Sequence, residues 1–227
     1  MEKGLNKTFV PDNKLSVPEG FDFNQYFGDI YQFREFMLRY QCALKEIQTK
    51  FEVLNDHLSI AYNRNPIEMI KSRVKTPKSI VEKLKRRGFE LSYDSITENL
   101  NDVAGIRIIC SFVNDIYEVA NMLVSQDDVK LLEVKDYIKN PKPNGYRSYH
   151  MIVEVPVFMA NNKLNMKVEV QLRTIAMDFW ASLEHKIHYK KDLPESEDIV
   201  RQLKDCADLI TIADLKMQEI NDFIAEN

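Results

Sequence analysis

Four groups of residues carry side chains suited to phosphate and metal chemistry. The densest runs from Lys71 to Arg87. There Lys71, Arg73, Lys75, Lys78, Lys83, Lys85, Arg86 and Arg87 stand against one acid, Glu82, a local charge of +7. The whole chain carries −4, so the remainder sums to −11. Pro77 and Ser79 mark a helix start in this run. Lys83 and Arg86 (or Arg87) follow one and two turns along and can point the same way. Cations at a helix beginning run against the macrodipole unless an anion is bound there. The run reads either as a solvated basic face or as a polyphosphate clamp whose arginine forks could also stack on a base. Six glycines, Gly4, Gly20, Gly28, Gly88, Gly105 and Gly145, lie too far apart for GxGxxG or GxxxxGK. Phosphate binding would therefore fall to side chains.

The second group is Asn101-Asp102-Val103-Ala104-Gly105-Ile106-Arg107. Asp102 just before an apolar strand is either a turn or capping residue or a Mg²⁺ ligand, since hard cations take one or two carboxylates plus phosphate oxygens. Gly105 permits close approach to the backbone, and Arg107 projects from the strand. The third group is Gly145-Tyr146-Arg147-Ser148-Tyr149-His150. Alternation puts Tyr146, Ser148 and His150 on one side, with Arg147 and Tyr149 on the other. Tyr146 offers a ring for base stacking or for ordinary packing. The fourth is Glu169-x-Gln171-x-Arg173, where a carboxylate, an amide and a guanidinium share one strand face. Polar groups on a strand otherwise fit for the core are costly without partners, which marks a site. His185 and His188 are three apart and read as a packing pair rather than a metal site, for no third soft ligand or HExxH spacing accompanies them.

These residues need a scaffold, and the sequence sketches one. Ile30, Phe33, Met37, Tyr40, Leu44, Ile47, Phe51, Leu54 and Leu58 step by 3 and 4, which predicts a long amphipathic helix. Ile199, Leu203, Cys206, Ile210, Ala213, Met217, Ile220 and Ile224 predict a second with the same kind of seam. Between them lies an α/β (α+β) region. Strands are expected over 105–112, 129–137, 148–158 and 164–173, the last two joined by a hairpin at Asn161-Asn162. Asn114 or Asp115 caps a helix through Val124, and another helix runs from about Ile175 to Tyr189. Pro141-Lys142-Pro143-Asn144-Gly145 is a loop by its turn chemistry. The division is an irregular arm over 1–25, a helix over 26–62, a central domain over 63–190 and a helix over 195–227.

Composition narrows the classes further. The chain of 227 residues is 44% hydrophobic and 29% charged, ordinary for one globular domain with helical additions or at most two small domains. Its mildly acidic total argues against a general nucleic-acid coat protein. No run of about 18 apolar residues offers a membrane span. MEKGLNKTFV lacks the layout of a secretory signal. Cys42, Cys110 and Cys206 are odd in number and widely spaced, which excludes a disulfide framework or CxxC zinc site and fits a reducing cytoplasm.

In chain order, RVK (73–75), DVAGIR (102–107), GYRSYH (145–150), VEVQLRT (168–174) and FWASLEH (179–185) resemble the synthetase domain of the RelA/SpoT family over about residues 64–190. The helical flanks resemble those of its small alarmone synthetases. The resemblance implies a nucleotidyltransferase-like mixed sheet surrounded by helices. It implies transfer of the β,γ-pyrophosphate of ATP to the 3′-hydroxyl of GTP or GDP, giving pppGpp or ppGpp and AMP, in the bacterial stringent response. It implies Mg²⁺ as cofactor. The family's hydrolase half depends on an HD box; here Asp56-His57 stands in reversed order, so synthesis without hydrolysis is expected. Carried onto this sequence, Arg73, Lys75, Ser79, Lys83 and Arg86 would hold the ATP phosphates, with Arg73 and Arg107 available to sandwich adenine. Asp102 would bind Mg²⁺, and Glu169 would join the metal or take the 3′-hydroxyl proton, both acids being catalytic. Tyr146 would stack on guanine, with His150, Gln171 and Arg173 on the acceptor's phosphates or ribose. Asp178, if at the guanine edge, would accept from N1–H and the N2 amine. The resemblance also implies a homotetramer through the terminal helices. Some members bind alarmone at a subunit cleft and some bind RNA; the residues here point to neither. A non-catalytic nucleotide- or RNA-binding module would account for the basic run and Tyr146 but not for Asp102 and Glu169, whose charges repel phosphate unless a metal intervenes. A different nucleotidyltransferase would share the acids but not the guanine features.

Overall fold

The stripe of Phe33, Met37, Tyr40, Leu44, Ile47 and Phe51 organises the first helix and finds its partner within the same chain. In the computed structural model, which describes residues 26–62, 64–189 and 197–226, these side chains are buried on α1 (Ile30–Tyr62), laid across a sheet. Each contributes roughly 1.5–3 kcal/mol of apolar burial. Gly28, at φ 64°, separates a short turn at Tyr26–Phe27 from α1, so the long helix starts at Ile30 rather than at 26.

Five strands make the sheet: β1 (Ile67–Val74), β2 (Ala104–Cys110), β3 (Lys130–Asp136), β4 (Tyr149–Phe158) and β5 (Lys163–Thr174), in the order β1-β2-β5-β4-β3. The β2–β5 pair is parallel and the others antiparallel, giving the expected mixed sheet. On one face Ile106, Ile108, Met151, Val153, Val168, Val170 and Leu172 join α1, α2 (Pro77–Arg87) and α4 (Val113–Val124) in a single core. α5 (Ile175–Tyr189) follows β5 directly, and α6 (Glu197–Glu226) packs against it. The 1–25 arm of the sequence reading lies outside the described residues.

Local chemistry sets the helix ends. Thr76 Oγ1 accepts from Ser79 N at the head of α2, Pro77 takes the first turn, and Gly88 closes it at φ 72°. At α4 the cap position is Phe112. Asp115 is buried in the first turn and its Oδ2 accepts from Phe112 N, the return half of a capping box. Two elements escaped the sequence pattern, β1 and α3 (Tyr93–Asn99). β1 is an edge strand with only Ile67 buried, so it shows no apolar alternation.

The seam predicted on the C-terminal helix is corrected. Leu203 of that seam is buried and Ile199 and Ile210 are half-buried, but Cys206, Ala213, Met217, Ile220 and Ile224 are exposed; the inner face presents Leu203, Ala207, Asp214 and Gln218. Two of those four are polar, which hid the buried face from an apolar count.

Candidate active site

Strand register delivers the polar residues to one face. Arg73 pairs with Gly105, and Gly105 with Glu169. One rung along, Lys71, Arg107, Gln171, His150 and Lys135 sit in line across all five strands. Partners in register project to the same side, so this face is opposite the core residues Ile106, Val168 and Val170. A cleft of about 250 Å³ opens over it, walled by Lys71, Arg73, Arg107, Glu169 and Gln171, with the bare backbone of Gly105 among them.

Asp102 stands at the approach to β2, where Lys75 N donates to Val103 O across 2.8 Å. Its Oδ2 takes Lys75 Nζ at 2.8 Å and Lys83 Nζ at 2.6 Å. Burial pushes the carboxyl upward, but the two ammonium groups outweigh it and hold it below the usual aspartate range. Oδ1 is buried and makes no hydrogen bond. An ionised oxygen left open in this way suits a hard cation that brings phosphate oxygens and water with it. Among the described residues, no group of three or more His, Cys, Asp or Glu is placed to hold an ion by itself. The donor set thus fits Mg²⁺ carried in on a polyphosphate, with Asp102 and Glu169 as the protein's acids.

Glu169 begins a ring of polar contacts. Its Oε2 accepts from Gln171 Nε2 at 3.0 Å, and Gln171 Oε1 from Arg173 Nη2 at 3.4 Å. Arg173 Nη2 also donates to the Tyr146 hydroxyl at 2.6 Å, which meets His150 Nε2 at 2.9 Å. His150 Nδ1 faces Glu169 Oε1 at 3.7 Å and closes the ring. A tautomer with the proton on Nδ1 leaves Nε2 to accept from Tyr146, so each polar atom in turn has a partner. Burial raises the Glu169 carboxyl, and nearby Asp102 adds to that. His150 and Gln171 overcome both, and the group is held below the ordinary glutamate range. The negative charge of Asp102 is felt at Glu169.

Arg107 and Arg173 are tied by a third acid. Asp178 Oδ1 accepts from Arg107 Nη1 at 3.1 Å and from Arg173 Nη1 at 3.2 Å, while Oδ2 lies 4.0 Å from Lys71. The carboxylate is therefore turned to guanidinium groups, and only Oδ2 is left for a guanine edge. Arg107 Nε is buried without a hydrogen bond.

Of the residues singled out from the sequence, Arg73, Lys75, Lys83, Asp102, Arg107, Tyr146, His150, Glu169, Gln171, Arg173 and Asp178 gather on or beside this face. Arg86 is exposed on the last turn of α2, and Ser79 is used at its first turn; neither walls the cleft. Tyr146, Ser148 and His150 do share a side: Ser148 Oγ donates to Leu172 O and accepts from Arg173 Nε. Tyr137 and Lys142 were missed. The Tyr137 ring meets those of His150 and Tyr146 edge-on, and Lys142 Nζ lies 5.0 Å and 4.8 Å from the Tyr137 and Tyr146 ring centres. The signal was a lysine inside the Pro-Lys-Pro-Asn-Gly loop beside an aromatic strand end. His185 is exposed, and the side chain of His188 lies outside the described residues.

Comparison with known proteins identifies relatives of the chain and of its fold. Residues 72–193 match the family described as "Region found in RelA / SpoT proteins". GTP pyrophosphokinase YwaC of Bacillus subtilis is 48% identical over 181 residues, 80% of this chain and 86% of that protein. GTP pyrophosphokinase YjbM of the same organism is 34% identical over 198 residues, 87% and 92% of the two chains. The crystal structure of small alarmone synthetase 2 from Bacillus subtilis superposes with a TM-score of 0.74 at 47% identity, covering 82% of this chain and 97% of that one. Small alarmone synthetase 1 bound to its product pppGpp superposes at 0.77 and 33% identity, covering 85% and 98%. With the family match spanning over half its length, the chain belongs to the RelA/SpoT family.

Proposed function

We propose that the protein is a GTP pyrophosphokinase that moves the β,γ-pyrophosphate of ATP to the 3′-hydroxyl of GTP or GDP and releases AMP. One observation carries this reading: Glu169 shares a sheet face with a row of cations and an aromatic–guanidinium cluster, and a second ionised acid, Asp102, stands on Lys75 and Lys83 at the approach to β2, its charge felt at Glu169. Carboxylates in a phosphate site need a cation between them and the polyanion, and a phosphate-binding module without chemistry needs no such acids.

In this reading Arg73, Lys75 and Lys83 hold the ATP phosphates, and Arg107 with Arg73 brackets the adenine. Lys75 and Lys83 exchange Asp102 for phosphate oxygens as ATP enters. Asp102 and Glu169 would hold Mg²⁺, which supplies neutralisation of the charge that builds on the transferring phosphates. Tyr146 and Arg173 seat the guanosine nucleotide, with His150 and Gln171 on its ribose or phosphates. The 3′-oxygen forms a bond to the β-phosphorus, the bond from that phosphorus to the α-bridging oxygen breaks, and AMP departs with the electron pair. Glu169 takes the proton from the 3′-hydroxyl.

The enzyme acts in the cytoplasm as part of the stringent response; no helix among the described residues is long and apolar enough to cross a membrane. It assembles as a homotetramer. The α1 seam is spent on the sheet, but α6 leaves Leu209, Ile212, Leu215, Ile220 and Phe223 exposed, and α5 leaves Ile175, Phe179 and Ile187. Two such stripes on adjacent helices form the kind of surface that subunits bury. Incubating the protein with ATP, GTP and Mg²⁺ and separating products by anion exchange tests the activity. Guanosine pentaphosphate and AMP in equal amounts support it; ADP with no new guanosine species contradicts it.

A further inference from the structure

The inner face of α6 lands, turn by turn, on residues that adjoin the acceptor-side groups. Leu203 O accepts from Trp180 Nε1 at 3.0 Å, and the Trp180 ring meets the Tyr146 ring edge-on at 6.4 Å. One turn later Ala207 packs against Gly145, the residue before Tyr146. Gly145 sits at φ 88°, and a side chain there would collide with Ala207. Next, Thr211 Oγ1 accepts from Nη1 of Arg147, the residue after Tyr146, at 3.0 Å. Then Asp214 Oδ2 accepts from Oγ1 of Thr174, the residue after Arg173, at 2.8 Å. Thr174 Oγ1 in turn accepts from Met177 N and so fixes the head of α5, where Asp178 lies.

The packing is equally selective. Trp180, Ala181, Leu203 and Ala207 form a cluster of their own, apart from the main core, and Tyr146 packs against it with Ile199 and Ile210. Tyr146 is thus held at two ends, its ring by α5 and α6 and its hydroxyl by Arg173 and His150 of the sheet. It stands just beyond an irregular segment, and such segments move unless something ties them down. Lys75, Lys83 and Asp102, on the donor side, are held instead by β1, α2 and the approach to β2.

We propose that α6 is a positioning element for the acceptor nucleotide, Thr211 and Asp214 fixing Arg147 and Thr174 so that Tyr146 and Arg173 meet it preformed. The inference rests on the reading of Tyr146 and Arg173 as acceptor-side groups given above. A site whose aromatic platform must be ordered on binding loses affinity for that ligand by the ordering cost, while a ligand bound on the other side loses none.

Thr211→Val keeps the shape of the side chain but removes the oxygen that Arg147 uses, leaving a half-buried guanidinium short of a partner. Equilibrium binding and steady-state kinetics on the full chain give the readout, with the oligomeric state checked by sedimentation. The expected result is a GTP Kd and KM raised about tenfold, an ATP Kd and KM within about twofold, and recovery in Thr211→Ser. Asp214→Asn, which removes the charge facing Arg147 and Thr174, is expected to shift GTP in the same direction and spare ATP. GTP binding unchanged in both variants, or ATP and GTP weakened equally, overturns the proposal. Because binding is read without turnover, absence of product from the unaltered protein would strike the assigned reaction, whereas an unselective Thr211→Val would strike only the role of α6.

Discussion

Lys83 Nζ rests 2.6 Å from Asp102 Oδ2, so a donor-side cation sits on the acid that would hold the metal. With Lys75 on the same oxygen, two ammonium groups share one carboxylate, and the cluster keeps a net positive charge for an incoming nucleotide. In the proposed reading the phosphates would take the two lysines, leaving Asp102 free to hold Mg²⁺.

That exchange predicts the behaviour of Asp102→Asn. The lysines lose their partner while the cation loses a ligand, so turnover should fall on the order of a hundredfold. The Mg²⁺ concentration for half-maximal rate should rise as well. Steady-state rates across a Mg²⁺ titration check this; an unchanged Mg²⁺ requirement would remove Asp102 from the metal site.

Glu169→Gln keeps the size and the Gln171 contact but removes the charge. Turnover is expected to fall by a hundredfold or more, on the order of other losses of a positioned electrostatic group, while ATP and GTP still bind within about threefold. Calorimetric titration beside a rate assay separates the two effects. Retained activity would take Glu169 out of the chemistry.

Acid sensitivity follows from the same pair. Asp102 and Glu169 both have folded-state pKa values below their ordinary 3.8 and 4.5. Their ionised forms therefore favour the folded chain. That stabilisation is fully present above the ordinary values and is lost as the pH falls through the lowered ones. The difference in melting temperature between the unaltered protein and Asp102→Asn should be constant from neutrality to about pH 5 and shrink below about pH 4. A difference that already shrinks near neutrality would contradict the assignment.

Asp178 binds Arg107 and Arg173 through one oxygen. Asp178→Asn should weaken ATP and GTP binding together, GTP more strongly because Arg173 also supports Tyr146. Separate Kd measurements decide the matter. A loss confined to GTP would place the carboxylate on the guanine edge instead.

Much of this was readable in the chain because it rests on period-2 alternation. Glu169, Gln171 and Arg173 alternate with Val168, Val170 and Leu172, and the face they share follows directly. The apolar stripe of α1 was equally plain, since a buried helix face of ordinary composition repeats every 3.6 residues. What stayed hidden were surfaces buried by polar contacts. β1 pairs only on one side and leaves Lys71 and Arg73 in the open cleft, so it carried no strand pattern. α6 buries Asp214 and Gln218 and exposes Phe223 and Ile224, which inverts the usual rule and misled the seam. Asp178's partners come from Arg107 and Arg173, and only folding shows that one carboxylate can serve two strands.

The reaction itself is most directly tested by following isotope from ATP labelled at both the β and γ phosphorus. The account predicts that both labels appear together on the 3′-oxygen of the guanosine nucleotide, one unlabelled AMP being released for each. Label leaving from the γ position alone with ADP, or AMP joined to the acceptor with release of pyrophosphate, would contradict it.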